Sequence, residues 1–113
     1  MPANDLITKH CVPCEGGIPP LDLAAATRLR QQLHERWKIG HNGERIEARF
    51  SFSDYWRTAA FVNAVAWIAH TEDHHPEIRF GYNECTVQYW THAVKGLTEN
   101  DFICAAKVDA LLP

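Results

Sequence analysis

Hydrophobic and polar positions along this chain repeat with two different periods. From Leu21 to Glu35 the apolar residues Leu23, Ala26, Leu29 and Leu33, followed by Trp37, recur every three to four positions. That is the stripe of an amphipathic helix, with Asp22 placed to cap its start. Trp37 to Ile39 reads as a short strand, and Gly40-His41-Asn42-Gly43 as a hairpin turn. Arg45 to Ser53 switches to period two. Ile46, Ala48, Phe50 and Phe52 point one way, and Glu47, Arg49 and Ser51 the other. Ser53 offers an N-cap for a long helix from Asp54 to about Asp73. Its Trp56, Phe61, Val62, Val65, Trp67 and Ile68 lie on more than one face, which predicts burial on two sides. Pro76 is expected to end it, because the residue before a proline avoids helical geometry.

A second hairpin follows. Glu77 to Tyr82 alternates, with Ile78, Phe80 and Tyr82 on one face; Asn83-Glu84 is the turn. Glu84 to Ala93 sets Cys85, Val87, Tyr89 and Thr91 against Thr86, Gln88, Trp90 and His92. After Gly96, Thr98-Glu99-Asn100-Asp101 has the form of a capping box and opens a helix to about Leu112. Phe102, Ala105, Ala106, Val108 and Leu112 supply its apolar stripe. The order α-β-β-α-β-β-α predicts an α+β fold, a four-stranded antiparallel sheet with three helices on one face. The other face would carry Glu47, Arg49, Arg79, Gln88 and Trp90. Residues 1–20, with Pro2, Pro13, Pro19, Pro20, Gly16 and Gly17, read as an irregular leader to a single domain over 21–113.

Composition narrows the function. The 113 residues are 46% hydrophobic and 22% charged, values of one folded domain rather than a disordered chain. A formal net charge of −3 gives no basic footprint for nucleic acid or an anionic membrane. No run approaches the roughly 18 apolar residues of a membrane span. Met1 to Lys9 lacks a basic stretch followed by an apolar one, so a cytoplasmic protein with reduced thiols is expected. Seven histidines and four cysteines in so short a chain point to metal binding or to acid–base chemistry near neutral pH.

The histidines cluster in His70-Thr71-Glu72-Asp73-His74-His75-Pro76. His70 and His74 share a helix face at a spacing that also serves zinc, but the glutamate is one position away from that of H-E-x-x-H. His92, on a strand whose hairpin folds back, can approach them. Imidazoles gathered there can exchange protons at neutral pH; any one of them taken alone better fits a solvated residue capping a helix C-terminus. His10 with Cys11-Val12-Pro13-Cys14 is half of a zinc site or a redox pair. Cys85 and Cys104 read as small hydrophobes, Trp37 and Trp56 as core, and His34 and His41 as solvated. Trp90 is placed to meet a ligand or a partner subunit.

The run Asp73-His74-His75-Pro76-Glu77, then Tyr82, Thr91-His92, Gly96-Leu97-Thr98 and Asp101, resembles the signature of pterin-4a-carbinolamine dehydratases. His70 stands where many members carry glutamate, and Phe50-Ser51-Phe52-Ser53-Asp54-Tyr55 is similar to the family's approach to its long helix. The likeness runs from about Trp37 to Ala106. It implies a lyase that dehydrates 4a-hydroxytetrahydropterin to quinonoid dihydropterin, recycling the pterin of aromatic amino acid hydroxylases. It implies His74 and His92 as acid and base, with His75 orienting the pterin and sharing in proton transfer. His70, Asp73, Pro76, Trp90 and Thr91 would bind substrate. The family pattern keeps an acid at Asp101, whose N3 position suits it to cap its helix; the alternative is indirect support of His92. The pterin is the substrate, so no cofactor and no metal is expected; a homodimer or homotetramer is. The same resemblance leaves two alternatives: a dimerisation or assembly cofactor on this scaffold, or a dehydratase-like protein for a pterin of the molybdenum-cofactor type.

Overall fold

The computed structural model describes residues 5–13 and 18–112. Its elements are α1 (Leu23–Arg30), β1 (Lys38–Gly40), β2 (Arg45–Ser51), α2 (Tyr55–Glu72), β3 (Glu77–Phe80), β4 (Glu84–Tyr89) and α3 (Glu99–Asp109). The strands form one antiparallel sheet in the order β1-β2-β4-β3, so the two hairpins meet through β2 and β4. In that central pair Ile46 faces Tyr89, Ala48 faces Val87 and Phe50 faces Cys85. All six are buried and make the sheet's half of the core. Glu47, Arg49, Thr86 and Gln88 fall on the other face by the alternation of the pleat. The architecture is the α+β arrangement that the periodicities predict.

The helices close the core, α2 with one face and α3 with residues buried all round it. Trp37 is fully buried, stands edge-on to Phe50 at 6.2 Å, and donates its Nε1 hydrogen to Asp109 Oδ1 at 2.9 Å. From α2 come Thr58, Phe61 and Val65, and from α3 Phe102, Ile103, Ala106 and Val108. Asp22 caps α1 as expected, accepting from Ala25 N at 2.8 Å. Helix α2 departs from expectation in two ways. Its cap is Asp54, which accepts from Arg57 N at 2.8 Å, while Ser53 receives a hydrogen bond from Arg57 Nη1. Trp56 and Trp67 are 78% and 65% exposed, so α2 is buried on one side and Trp56 is not core. The two tryptophans are three turns apart, on the side away from the sheet. Phe80, the last residue of the edge strand β3, and Tyr82, in the turn that follows it, are also exposed.

The described part of the leader is docked. Asp5–Thr8 forms a 3-10 turn whose Leu6 is buried and packs with α3. Lys107 Nζ of α3 donates to Ile7 O at 2.8 Å, and Lys9 pairs with Glu99 at 3.0 Å.

Candidate active site

Three element ends converge on one side of the core. Helix α2 stops at Glu72, four residues before Pro76, so the proline does not end it. Asp73 takes a left-handed conformation (φ 52°, ψ 43°). The Asp73 N–H then reaches His70 O at 3.4 Å, and the His74 N–H reaches Ala69 O at 3.2 Å. This pair of bonds satisfies the last carbonyls of the helix and turns the chain sharply. Glycine usually occupies such a position; an aspartate tolerates it at a modest cost.

His74 leaves this turn and meets the start of α3. Its Nε2 is 2.6 Å from Oδ1 of Asp101, whose side chain is wholly buried. The other Asp101 oxygen accepts from Thr98 N at 2.9 Å, the return arm of a capping box, and from Thr91 Oγ1 at 2.8 Å. The hydroxyls of Thr91 and Thr98 are themselves 2.8 Å apart. With Thr91 donating to the carboxylate, Thr98 donates to Thr91. The buried charge therefore has three donors, which is what makes such burial tolerable. Asp101 thus caps its helix as expected, but its partner is His74 and not His92. The His74 ring also lies parallel to Tyr89, with centroids 6.1 Å apart. Tyr89 is buried, its hydroxyl has no hydrogen-bond partner among the described residues, and burial foremost holds its pKa well above the ordinary phenol value.

The third end is the exit of β4. Thr91 pairs with Gly96 through Thr91 N to Gly96 O at 2.8 Å, enclosing a 3-10 turn over His92–Val94. His92 is exposed, with its ring 4.5 Å from Trp90 and 5.5 Å from the exposed ring of His75.

His74, His75 and His92 line a single cavity of about 380 Å³ together with Asp73, Thr91 and Ala93. That volume suits a small bicyclic ligand. Three expected site residues lie outside this lining. His70 is exposed and rests against Trp67 at 5.3 Å. Pro76 is in the following turn. Trp90 borders an adjoining hollow that shares His92, with the Arg45 guanidinium 4.0 Å over its ring.

The rest of the lining is Glu72, Asn100 and the leader residues Cys11, Val12 and Pro13. None of these was singled out from the sequence as part of this site. One signal was available: Glu72 is an acid in the last turn of a helix, where the dipole opposes it. It needs compensation, and it has it. Burial raises its pKa, but the Cys11 N–H at 2.7 Å, the His10 ring at 2.9 Å and nearby Lys107 outweigh that and hold it below the ordinary glutamate range.

Cys14 lies outside the described residues. Cys11 Sγ is 3.5 Å from Cys104 Sγ, and among the described residues no three His, Cys, Asp or Glu side chains gather as a metal site. The contact with Cys11, and then burial, push the Cys104 thiol far up; burial raises Cys85 to about 11. Both cysteines are buried, as the strand and helix patterns implied.

Residues 19–111 match the family model described as pterin 4 alpha carbinolamine dehydratase. A Nitrosomonas eutropha protein named "Putative pterin-4-alpha-carbinolamine dehydratase" is 57% identical over 108 residues, covering 96% of this chain and 94% of its own. A Legionella pneumophila protein of the same name is 49% identical over 109 residues, 96% of each chain. The crystal structure of a transcriptional coactivator/pterin dehydratase from Brucella melitensis superposes with a TM-score of 0.78 at 30% identity, covering 83% of this chain and 99% of that one. A pterin dehydratase-like protein identified as a RuBisCO assembly factor in the alpha-carboxysome superposes with a TM-score of 0.60 at 29% identity, over 69% and 90% of the two chains. With the histidine cavity set on this fold and the family model spanning nearly the whole domain, the chain belongs to the pterin 4 alpha carbinolamine dehydratase family.

Proposed function

We propose that this protein is a cytoplasmic lyase that converts 4a-hydroxytetrahydropterin to quinonoid dihydropterin and water, returning the pterin of aromatic amino acid hydroxylases to its reducible form. The supporting observation is the gathering of His74, His75 and His92 around one cavity, with His74 held by buried Asp101. The reaction is redox-neutral. The C4a–O bond breaks, the leaving hydroxyl takes a proton from an acid, a ring N–H proton passes to a base, and a C=N bond forms. Two imidazoles can divide these transfers at neutral pH.

The surroundings of the rings divide them. A carboxylate only accepts hydrogen bonds, so His74 directs its Nε2 hydrogen to Asp101 and keeps the Nδ1 lone pair. Asp101 also stabilises the imidazolium that forms when Nδ1 takes a proton, as an orienting acid does for a general base. His74 is the base in this reading. His92 and His75, exposed and face to face, supply the proton to the leaving hydroxyl and orient the ring. Asp73 and Thr91 line the same space as binding groups.

An assembly role on the same scaffold, as the carboxysomal neighbour's description indicates for that protein, is the second reading. An assembly surface has no use for three histidines around one cavity, which favours the enzyme. The test is quinonoid dihydropterin formation from freshly generated carbinolamine. Acceleration over the buffer reaction is expected, and its absence refutes the enzyme.

A further inference from the structure

The cavity has a wall that the family's common core does not supply. The family model begins at residue 19, yet residues 11–13 line the cavity. Relatives that span 96% of this chain extend into this leader.

This wall is fastened by two side chains from the core. Asn100 grips both main-chain groups of one leader residue: its Oδ1 accepts from Val12 N at 3.1 Å, and its Nδ2 donates to Val12 O at 2.8 Å. Glu72, buried at the end of α2, accepts from Cys11 N with one oxygen and meets His10 Nδ1 with the other. Cys11 Sγ packs on Cys104 and Asn100 O. With the main chain fixed at residues 11 and 12, the side chains of Val12 and Pro13 are left exposed at the cavity. Val12 is 67% exposed, an apolar side chain doing no work in the core. The histidine side of the cavity supplies proton donors and acceptors; the leader side supplies apolar surface. A flat heteroaromatic ligand with an alkyl-type substituent needs both.

We infer that Val12 and Pro13 are specificity-determining residues that pack against the bound pterin or its ring substituent, held in place by Asn100 and Glu72. This rests on the dehydratase reading, and the experiment separates the two. Carbinolamines bearing a methyl group and a dihydroxypropyl chain are compared with wild type, Val12→Trp, Val12→Gly and Asn100→Ala. Val12→Trp raises KM for the longer substrate about tenfold more than for the shorter one, the scale on which a pocket reads a few carbon atoms. Val12→Gly lowers that discrimination. Asn100→Ala raises KM for both, and cleavage within the leader by added protease accelerates. The loss in each variant falls on KM rather than on kcat, which a folding defect would not arrange. Unchanged KM values for both substrates in all three variants overturn the inference while leaving the dehydratase intact. A wild type that dehydrates nothing overturns the dehydratase. In that event the affinity for a stable dihydropterin, read by tryptophan fluorescence, decides the wall: weakening in Val12→Trp upholds it, and equal or undetectable binding overturns it.

Discussion

The two sides of the cavity are built by different means. The histidine side stands on the ends of α2, β4 and α3, and its central ring is tied into a buried network of Asp101, Thr91 and Thr98. The leader side is a strand of irregular chain with no sheet partner, held by the side chains of Glu72 and Asn100. The first arrangement fixes an imidazole to within the tolerance that proton transfer requires. The second fixes a main chain and leaves its side chains free to vary. Chemistry is therefore placed on rigid element ends, and selectivity on a loop that can change without disturbing it.

The largest effect that can separate the two sides comes from Asp101. Asp101→Ala leaves the His74 N–H, the Thr91 hydroxyl and the Thr98 N–H without their acceptor, and is expected to cost roughly 3 kcal/mol in chemical denaturation. Asp101→Asn keeps the shape but presents an amide to His74, so dehydration should fall about 10²-fold with a smaller loss of stability. A rate equal to wild type in Asp101→Asn would show that the carboxylate only caps its helix.

A smaller effect concerns the leader alone. Glu72 is held below the ordinary glutamate range in the folded chain, where its partners outweigh its burial. A depressed pKa gives stability that is complete above the unfolded value of about 4.3 and is lost as pH falls through the folded one. Hydrogen-exchange protection of the Cys11 amide should therefore decline in acid below that range. In Glu72→Gln the amide oxygen still accepts but does not titrate, so the decline should disappear. Equal acid sensitivity in both proteins would place the control elsewhere.

The smallest effect tests the turn between the two sides. Asp73→Gly relieves the left-handed residue and should leave the melting temperature unchanged or raise stability by up to about 1 kcal/mol. Activity should fall, because the carboxylate at the cavity is gone. A clear loss of stability would mean that the Asp73 side chain, and not only its backbone, holds the end of α2.

What the chain discloses in advance follows the range of the interactions. The hairpins, the three helices, the Asp22 cap and the return of Asp101 to Thr98 are legible because they rest on residues two to four apart. The stop of α2 is not, because a left-handed aspartate carries no sign of its own and Pro76 offers a more obvious one. Trp56 and Trp67 mislead in the same way: their bulk suggests core, and only the packing of Phe61 and Val65 reveals which side is covered. In the site, His74, His75 and His92 are read from their clustering, whereas the pairing of Asp101 with His74 depends on tertiary geometry. The contribution of residues 11–13 is the least legible, since Asn100 and Glu72 meet them across 61 to 88 positions of sequence.

The measurement closest to the central claim is the rate of quinonoid dihydropterin formation by His74→Ala beside wild type, with unchanged circular dichroism confirming the fold. The account predicts a fall of about 10²-fold or more, the usual contribution of a positioned general base. A folded His74→Ala protein that dehydrates the carbinolamine as fast as wild type would contradict it.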